Sequence, residues 1–396
     1  MIAPAAVIVL AAGEGTRMKS STPKVLHEVC GRTMLGHVLA AARELRPARL
    51  AVVVGDTSGP VASFLAEYAS DALPVIQRHR GGTGHAVRVA IEALGRIGGT
   101  VVVTYGDTPL LRGATLSGLV AAHESAGAAV TALVARAADP TGYGRIVRDA
   151  DGRFAGIVEQ ADATPEQARI DEINTGMYAF DGRLLAEAVT RLTTANAKGE
   201  EYLTEVLSIL RADGFPVGTM WCEDFDEILG VNDQAQLARA RRVLNDRLLG
   251  SWMGTGVTIV DPASTWVDVG VVLEPGALIG PATQLEGGTT IGAGARIGPG
   301  CLVRDSVISA RATVIQSVCE WAEVGPGAVV GPFAHLTAGT KIEGPAGADA
   351  GGMTAAGAST SAGSPAAPGP AVPGNAGPGS AGPGSPVRQG EGEQGS

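Results

Sequence analysis

Aromatic residues, cysteine and basic charge are all scarce in this sequence. Aromatic residues make up 4 % of the 396 residues, which gives little support to single-strand nucleic-acid binding by stacking. The 30 basic residues are outnumbered by 40 acidic ones, so a general nucleic-acid surface is disfavoured, while one local phosphate pocket stays open. Cys30, Cys222, Cys301 and Cys319 form no Cys-x-x-Cys pair, so neither a disulfide framework nor a structural zinc site is predicted.

Long apolar runs are missing as well. No run reaches the ~18 apolar residues of a membrane span, so no membrane partner is expected. Residues 1–12 are apolar, but they lack a basic start and continue directly into Gly13-Glu14-Gly15-Thr16-Arg17, a poor cleavage context for a signal peptide. We therefore interpret them as a buried first strand and expect a soluble, cytoplasmic protein. The length of 396 residues corresponds to two or three domains.

The first part of the chain, up to about residue 230, alternates short apolar runs with helical patterns. The apolar runs resemble fully buried strands and cover residues 6–10, 50–54, 74–77 and 100–104. Apolar faces at helical spacing lie between them, over residues 34–45 and 86–94. This alternation predicts an α/β domain with a mainly parallel sheet covered on both faces. Because such sheets bind ligands at the carboxyl ends of their strands, the loops after Leu10, Gln77 and Thr104 are the candidate site.

A different pattern follows this domain. Residues 233–253 are predicted to form a helix with the apolar stripe Leu237, Ala240, Val243, Leu244 and Leu248. Aliphatic residues then recur every six positions, with one slip of three: Val267, Leu273, Ile279, Leu285, Ile291, Ile297, Val303, and then Val318, Val324, Val330, Leu336 and Ile342. A period of six indicates a parallel β-helix, in which the aliphatic side chains point into the coil and small residues occupy the corners.

The period stops at residue 343. Of the 53 residues from 344 to 396, 41 are Gly, Ala, Pro or Ser. Such a composition buries too little apolar surface to offset the entropy of ordering, so this tail is predicted to be disordered.

The loop after the first strand is rich in glycine. Backbone N–H groups of such a loop can close around phosphate oxygens. The loop fails as a Walker A motif, because Met18 precedes Lys19-Ser20, and as a dinucleotide fingerprint, because the third glycine is missing. Arg17 and Lys24 follow it, and on their own they are more readily interpreted as solvated surface cations.

The motifs of the first 233 residues, taken together, change that interpretation. They resemble those of sugar-1-phosphate nucleotidyltransferases, and in particular the bacterial N-acetylglucosamine-1-phosphate uridylyltransferases, the N-terminal half of a bifunctional enzyme. The matching motifs are Leu10-x-x-Gly13-x-Gly15-Thr16-Arg17-Met18 with Pro23-Lys24-Val25-Leu26, Gln77 with Gly82-Thr83-Gly84-His85-Ala86, Tyr105-Gly106-Asp107-Thr108-Pro109-Leu110, Gly142-Tyr143-Gly144-Arg145-Ile146, Ile157-Val158-Glu159-Gln160, Glu172-Ile173-Asn174-Thr175-Gly176, Glu201-Tyr202-Leu203-Thr204 and Gly230-Val231-Asn232-Asp233.

The resemblance implies a fold and a reaction. A Rossmann-like nucleotidyltransferase domain is expected over residues 1–232, a linker helix over 233–254 and a short left-handed parallel β-helix over 255–343. The implied reaction is attack of N-acetylglucosamine-1-phosphate on the α-phosphate of UTP, which releases pyrophosphate. Mg²⁺ is the implied cofactor, and the family is homotrimeric through its β-helix.

The resemblance also assigns roles to residues. Arg17 and Lys24 would be catalytic, and Asp107 and Asn232 would hold Mg²⁺, although a turn or a helix N-cap is the competing explanation for these two. The predicted substrate-binding residues are Leu10, Ala11, Ala12, Gly13, Lys24, Gln77, Gly82, Thr83, Tyr105, Gly106, Asp107, Gly144, Glu159, Asn174 and Asn232. Outside these motifs, Tyr178 and Trp221 are expected in the core, and His27 and His85 are expected to have packing or capping roles.

Two departures from the family pattern affect the prediction. Glu201-Tyr202 stands where the family has two tyrosines after its Glu, which leaves the sugar specificity open. Thr337-Ala338 replaces an Arg-Pro whose arginine binds phosphate, and the later family motifs of the acetyltransferase half have no counterpart in residues 344–396. Loss of acetyltransferase activity is therefore expected, and the case for a trimer is weakened.

Three alternatives stay open at this stage: a complete bifunctional enzyme that also acetylates glucosamine-1-phosphate, another nucleotide specificity (guanylyl or thymidylyl), and a non-catalytic sugar-nucleotide-binding paralogue.

Overall fold

Strands and helices alternate through the first part of the molecule. A computed structural model describes residues 3–56 and 59–345. The strands there are β1 (Ala6–Leu10), β2 (Glu28–Val29), β3 (Arg32–Thr33), β4 (Leu50–Val54), β5 (Ala72–Ile76), β6 (Thr100–Tyr105), β7 (Val130–Arg136), β8 (Gly144–Arg148), β9 (Phe154–Val158), β10 (Glu172–Asp181) and β11 (Val217–Trp221). The helices are α1 (Met34–Glu44), α2 (Pro60–Tyr68), α3 (Thr83–Leu94), α4 (Gly113–Ala126), α5 (Gly182–Ala188), α6 (Glu205–Ala212) and α7 (Gln234–Gly254).

One mixed sheet organises this α/β part. Its strand order is β11-β7-β10-β6-β1-β4-β5, and the hairpin of β8 and β9 joins it through β10. Strand β1 pairs in parallel with β4 and β6, whereas β10 runs antiparallel to β6 and β7. The carboxyl ends of β1, β4 and β6 therefore lie at the same edge of the sheet. The predicted α/β fold with a largely parallel sheet is confirmed, and the edge predicted to carry the site exists.

Edge strands account for two wrong predictions. The run expected to be fully buried over residues 74–77 overlaps β5 (Ala72–Ile76), which lies at the sheet edge and leaves Pro74 exposed. Trp221, expected in the core, ends the opposite edge strand β11 and is 39 % exposed, with the guanidinium of Arg136 5.5 Å from its ring centre. A strand at an edge has a neighbour on one side only, so part of its surface stays in water. Tyr178 is buried, as expected.

The second part of the chain forms a parallel β-helix. Its strands are β12 (Thr258–Ile259), β13 (Trp266–Val267), β14 (Val272–Leu273), β15 (Leu278–Ile279), β16 (Gln284–Glu286), β17 (Thr290–Ile291), β18 (Arg296–Ile297), β19 (Leu302–Arg304), β20 (Val307–Ile308), β21 (Thr313–Val314), β22 (Val318–Glu320), β23 (Glu323–Val324), β24 (Val329–Val330), β25 (His335–Leu336) and β26 (Lys341–Ile342). They stack as three five-stranded parallel sheets, and the aliphatic residues predicted to point inward are buried, with the exceptions of Val318 and the half-buried Ile342. The predicted β-helix is confirmed.

The predicted slip of three has a different form. The inward positions after Val303 are Ile308, Val314, Cys319 and Val324, so three of the steps between inward residues contain five residues instead of six. Val318, predicted to point inward, lies on the outer side of β22, and the neighbouring Cys319 is buried in its place. A buried thiol behaves as a small apolar side chain, so cysteine can occupy a core position.

Helix α7 lies between these two parts of the chain. The side chain of Asp233 accepts a hydrogen bond from the backbone N–H of Gln236 and caps its start. Leu237 and Ala240 are buried as predicted, but Leu249 is the buried leucine near the end of the helix, where Leu248 was expected. Among the described residues, no helix is long and apolar enough to cross a membrane. The predicted disordered tail over 344–396 lies, from residue 346 on, outside the described residues.

Candidate active site

A charged cluster lies where β6 ends. Asp107 follows β6, Lys24 begins the short helical turn Lys24–Leu26, and Asn232 precedes α7. The Lys24 ammonium forms an ion pair with Asp107 Oδ2 and donates to Asn232 Oδ1 at 3.1 Å. Both side chains of the pair are largely buried, with 11 % of Lys24 and 21 % of Asp107 exposed. The fold thus brings together three residues that are far apart in the sequence.

Arg17 completes this cluster. It lies on the helical turn Thr16–Met18, and its Nη2 donates to Asn232 Oδ1 at 2.9 Å. Asn232 does not cap α7, since Asp233 does, so the amide oxygen of Asn232 is directed at the two cations. The explanation of Asn232 as a helix N-cap is therefore wrong.

The oxygens of this cluster suit a divalent cation. A carboxylate and an amide oxygen are hard donors of the kind that Mg²⁺ prefers. Asp107 and Asn232 already hold one cationic group between them, the Lys24 ammonium. In the described part of the chain, no group of three or more His, Cys, Asp or Glu side chains could hold a metal. One carboxylate and one amide oxygen fit a hard cation such as Mg²⁺, which usually keeps several ligands from substrate phosphate and water.

The glycine-rich loop lies at the same sheet edge. Gly106 donates its N–H to the carbonyl oxygen of Leu10 at 2.9 Å, and Ala11 donates to Val53 at 2.8 Å, so the predicted residues Leu10 and Ala11 are held against the ends of β4 and β6. Ala12 is partly buried, whereas Gly13 is exposed. The loop is thus fixed at its start and accessible at its tip.

A second loop, after β5, contains the predicted residues Gln77 and Gly82 and ends at the predicted residue Thr83, where α3 begins. Gln77 is buried, and its Nε2 lies 3.0 Å from both the carbonyl oxygen of Gly82 and His85 Nδ1. Gly82 has a φ of +101°, and a Cβ there would lie 2.5 Å from the carbonyl oxygen of Glu201, so only glycine fits. The side-chain amide of Gln77 therefore fixes a loop of unusual conformation.

Several predicted residues line a cavity of about 250 Å³. The predicted residues in its lining are Thr83, Tyr105, Gly144, Glu159 and Asn174. Burial raises the pKa of Glu159, whose Oε1 accepts a hydrogen bond from Thr204 Oγ1 at 3.1 Å. Asn174 donates to the Tyr178 hydroxyl at 2.7 Å. The cavity therefore offers a half-buried carboxylate and an oriented amide for the hydroxyl and amide groups of a ligand.

Sequence reasoning missed several residues that line the site. A neighbouring cavity of about 300 Å³ includes Arg17 and Asn232 together with Gln236 and Arg239 of α7. Tyr143 lines both cavities and lies inside a motif already recognised in the sequence, so that motif was the signal for it. No local pattern distinguishes Arg239 from the other arginines of α7, and only the packing of the helix shows it.

Two domain families match the chain. The MobA-like NTP transferase domain matches residues 7–204, and the bacterial transferase hexapeptide (six repeats) matches residues 270–305. The first match covers the candidate active site up to Thr204, and the second lies within the β-helix.

Similar proteins cover most of the chain. One from Thermobifida fusca, described as "Bifunctional protein GlmU", is 56 % identical over 82 % of this chain and 68 % of its own length. A protein of the same name from Streptomyces coelicolor is 54 % identical over 86 % of this chain and 71 % of its own length. Another from Nocardia farcinica is 49 % identical over 86 % of this chain and 70 % of its own length.

Proposed function

The chain belongs to the family of bifunctional GlmU proteins and is a nucleotidyltransferase, and we propose that it forms UDP-N-acetylglucosamine and pyrophosphate from UTP and N-acetylglucosamine-1-phosphate in a Mg²⁺-dependent reaction. We assign this activity to residues 1–232 and its site to the edge of the sheet where β1, β4 and β6 end.

The convergence of Lys24, Asp107 and Asn232 is the observation that carries the proposal. Asp107 offers a carboxylate oxygen and Asn232 offers an amide oxygen. The Lys24 ammonium contacts both of them, and the Arg17 guanidinium contacts Asn232. A triphosphate brings several negative charges into such a site, and cations fixed in advance stabilise them without reorganisation. The arrangement therefore suits phosphoryl transfer better than chemistry that needs a protein nucleophile.

The chain's own residues orient the two reactants. A phosphate oxygen of the sugar phosphate attacks the α-phosphorus of UTP in line, the new P–O bond forms, and the bond to the departing pyrophosphate breaks. Arg17 and Lys24 hold the triphosphate and offset the charge that develops on it, so catalysis depends on positioning and charge neutralisation. No proton is needed from the protein, because the attacking oxygen is already anionic.

Asp107 and Asn232 would hold the Mg²⁺ ion. When bound, Mg²⁺ neutralises phosphate charge and polarises the phosphoryl oxygens. The Lys24 ammonium contacts oxygens of both residues, so the side chains that would hold the metal and the lysine that would bind phosphate lie within hydrogen-bond distance of one another.

The two substrates are assigned to the two sides of the cluster. We place uridine against the loop of Leu10, Ala11, Ala12 and Gly13, against Gln77, Gly82 and Thr83, and beside Tyr105 and Gly106. The N-acetylglucosamine part belongs in the cavity with Gly144, Glu159 and Asn174, whose polar groups match hydroxyl and amide groups.

The test is pyrophosphate release from UTP and N-acetylglucosamine-1-phosphate, with Mg²⁺ or with EDTA. We expect release that requires both substrates and stops with EDTA. Release with GTP or dTTP in place of UTP would support the guanylyl or thymidylyl alternative. Calorimetric binding of the sugar nucleotide by folded protein that never turns over would instead support the non-catalytic paralogue.

We further propose that this chain lacks the acetyltransferase activity of a complete bifunctional enzyme. Thr337 and Ala338 replace the family's phosphate-binding Arg-Pro, and the sequence from residue 344 carries none of the later motifs. Glucosamine-1-phosphate should therefore cause no consumption of acetyl-CoA by the purified protein. Consumption that depends on glucosamine-1-phosphate would establish the bifunctional alternative. Sedimentation analysis of the purified protein tests whether the chain assembles as a trimer through its β-helix.

A further inference from the structure

The segment of residues 200–204 binds the loop that the proposed function assigns to uridine. Glu201 donates its backbone N–H to the carbonyl oxygen of Gly81 at 2.7 Å, and its own carbonyl oxygen accepts from the N–H of Gly84 at 2.8 Å. The N–H of Leu203 donates to Thr83 Oγ1 at 3.1 Å. The segment and the loop are therefore paired on both sides of Gly82, and movement of one requires movement of the other.

The same segment forms a wall of the cavity that the proposed function assigns to the sugar. Glu200, Tyr202 and Thr204 line that cavity, and Thr204 holds Glu159 through its hydroxyl. The segment, called the bridging segment below, therefore contacts both the nucleotide side and the sugar side of the site.

One ion pair ties the bridging segment to α3. Arg88 on α3 donates from Nη2 to Glu201 Oε1 at 2.8 Å and from Nε to Glu201 Oε2 at 3.2 Å. The pair is partly shielded, with 30 % of Arg88 and 20 % of Glu201 exposed. Glu201 is the residue that departs from the family pattern, and its side chain contacts Arg88 and does not line the cavity. The side chain that differs from the family pattern therefore points away from the cavity assigned to the sugar.

We propose that the Arg88–Glu201 ion pair couples the binding of nucleotide to the binding of sugar phosphate. The inference rests on the proposed function, which assigns uridine to the loop and N-acetylglucosamine to the cavity that the bridging segment contacts. A nucleotide that orders Gly82 and Thr83 also orders the bridging segment, which is part of the wall of the sugar cavity. The sugar phosphate then binds at a lower cost in conformational entropy. Arg88 and Glu201 are positioning residues, since neither contacts the reacting atoms.

The test is the variant Glu201→Gln, which keeps the shape of the side chain and removes its charge. Calorimetry measures the affinity for N-acetylglucosamine-1-phosphate with and without a UTP analogue that carries a methylene group between its α- and β-phosphorus atoms. The ratio of the two affinities is the coupling factor, and we expect it to fall about fivefold in the variant. Hydrogen exchange at the amides of Glu201 and Gly84, measured without substrates, should become faster.

Two further variants keep the test specific. Glu92→Gln removes a second carboxylate near Arg88. It lies on α3 itself, 3.6 Å from Arg88, and is 64 % exposed, so this variant should leave the coupling factor unchanged. The double variant Arg88→Glu with Glu201→Arg exchanges the two charges and keeps the ion pair. Its coupling factor should be closer to that of the wild type than the factor of Glu201→Gln is. A coupling factor in Glu201→Gln equal to that of the wild type would overturn the inference. Absence of turnover in the wild type would contradict the proposed function instead, and the exchange measurement keeps the two failures apart.

Discussion

Lys24 illustrates how single side chains determine this site. Its ammonium contacts a carboxylate and an amide oxygen, and only 11 % of the side chain is exposed. Water therefore screens its charge less than it screens the charge of a surface lysine. Under the proposed function, a lysine in this position would stabilise the negative charge that forms during the reaction.

We predict that Lys24→Ala lowers the rate of pyrophosphate release by about 100-fold or more, because a fixed cation at the developing charge is lost. Steady-state kinetics with both substrates measures this. Lys19→Ala removes an exposed lysine that lies close to Lys24 in the sequence, and it should leave the rate unchanged. A rate for Lys24→Ala within about threefold of the wild type would refute its catalytic role.

Glu159 makes stability depend on pH. Burial raises its pKa above the ordinary value of 4.5, so the folded protein favours the protonated form and the carboxylate costs stability once it ionises. We predict that Glu159→Gln raises the melting temperature at pH 7 and that this gain disappears as the pH falls below 4.5, where the carboxyl is protonated in both states. Thermal unfolding followed by circular dichroism from pH 4 to 8 tests this. A gain that does not change with pH would mean that burial of charge is not the cause.

At the scale of elements, the coils of the β-helix tolerate a missing residue better than an added Cβ. Five-residue steps occur after Val303, Val314 and Cys319 without loss of the parallel pairing. A Cβ on Gly292, by contrast, would lie 2.5 Å from the backbone nitrogen of Ala310 in the next coil. The stacking distance between coils, and not the turn itself, sets this limit.

We predict that Gly292→Ala lowers the free energy of unfolding by about 2 kcal/mol, because backbone of the next coil must shift. Gly288→Ala is the matched control at another corner, where the nearest atom is Asp305 Oδ1 at 3.7 Å, and it should cost less than about 0.5 kcal/mol. Urea denaturation followed by circular dichroism compares the two variants. Equal effects would contradict the steric explanation.

At the scale of the whole molecule, the buried Asn245 of α7 joins the helix to the first coil of the β-helix. Its Nδ2 donates to the carbonyl oxygen of Thr265 at 2.8 Å, and its Oδ1 accepts from the N–H of Val267 at 2.9 Å. The side chain thus pairs with two backbone groups of β13 and the residue before it, as a neighbouring strand would. The hairpin of β2 and β3 adds a second contact, since the N–H of Val269 donates to the carbonyl oxygen of Cys30 at 3.0 Å.

We predict that Asn245→Ala destabilises the protein by about 2 kcal/mol or more, since a buried donor and a buried acceptor lose their partners. Asp246→Asn alters the adjacent exposed residue, whose contact with Arg242 spans 3.5 Å, and should cost less than about 0.5 kcal/mol. Chemical denaturation measures both changes. A cost for Asn245→Ala as small as that of the control would show that the junction does not depend on these two hydrogen bonds.

Local sequence patterns were sufficient for much of this molecule. The alternation of strands and helices predicted the α/β fold, and the period of six predicted the β-helix, because both repeats reflect which side chains face a core. The glycine loop and its cations also lie at the sheet edge that the sequence predicted for the site, since the carboxyl ends of parallel strands meet there. The roles of the predicted site residues stay predictions until the variants are measured.

Contacts between distant segments were decided only by the tertiary structure. Whether Trp221 is core or edge depends on which strand pairs beside it, and whether Val318 or Cys319 points inward depends on the length of the preceding turn. The partners of Lys24 and of Glu201 lie 83 and 113 residues away, so no local pattern could pair them. A sequence records the preferences of each segment for a conformation and for burial. Which polar groups finally meet is determined by packing, because only the folded chain brings their segments within hydrogen-bond distance.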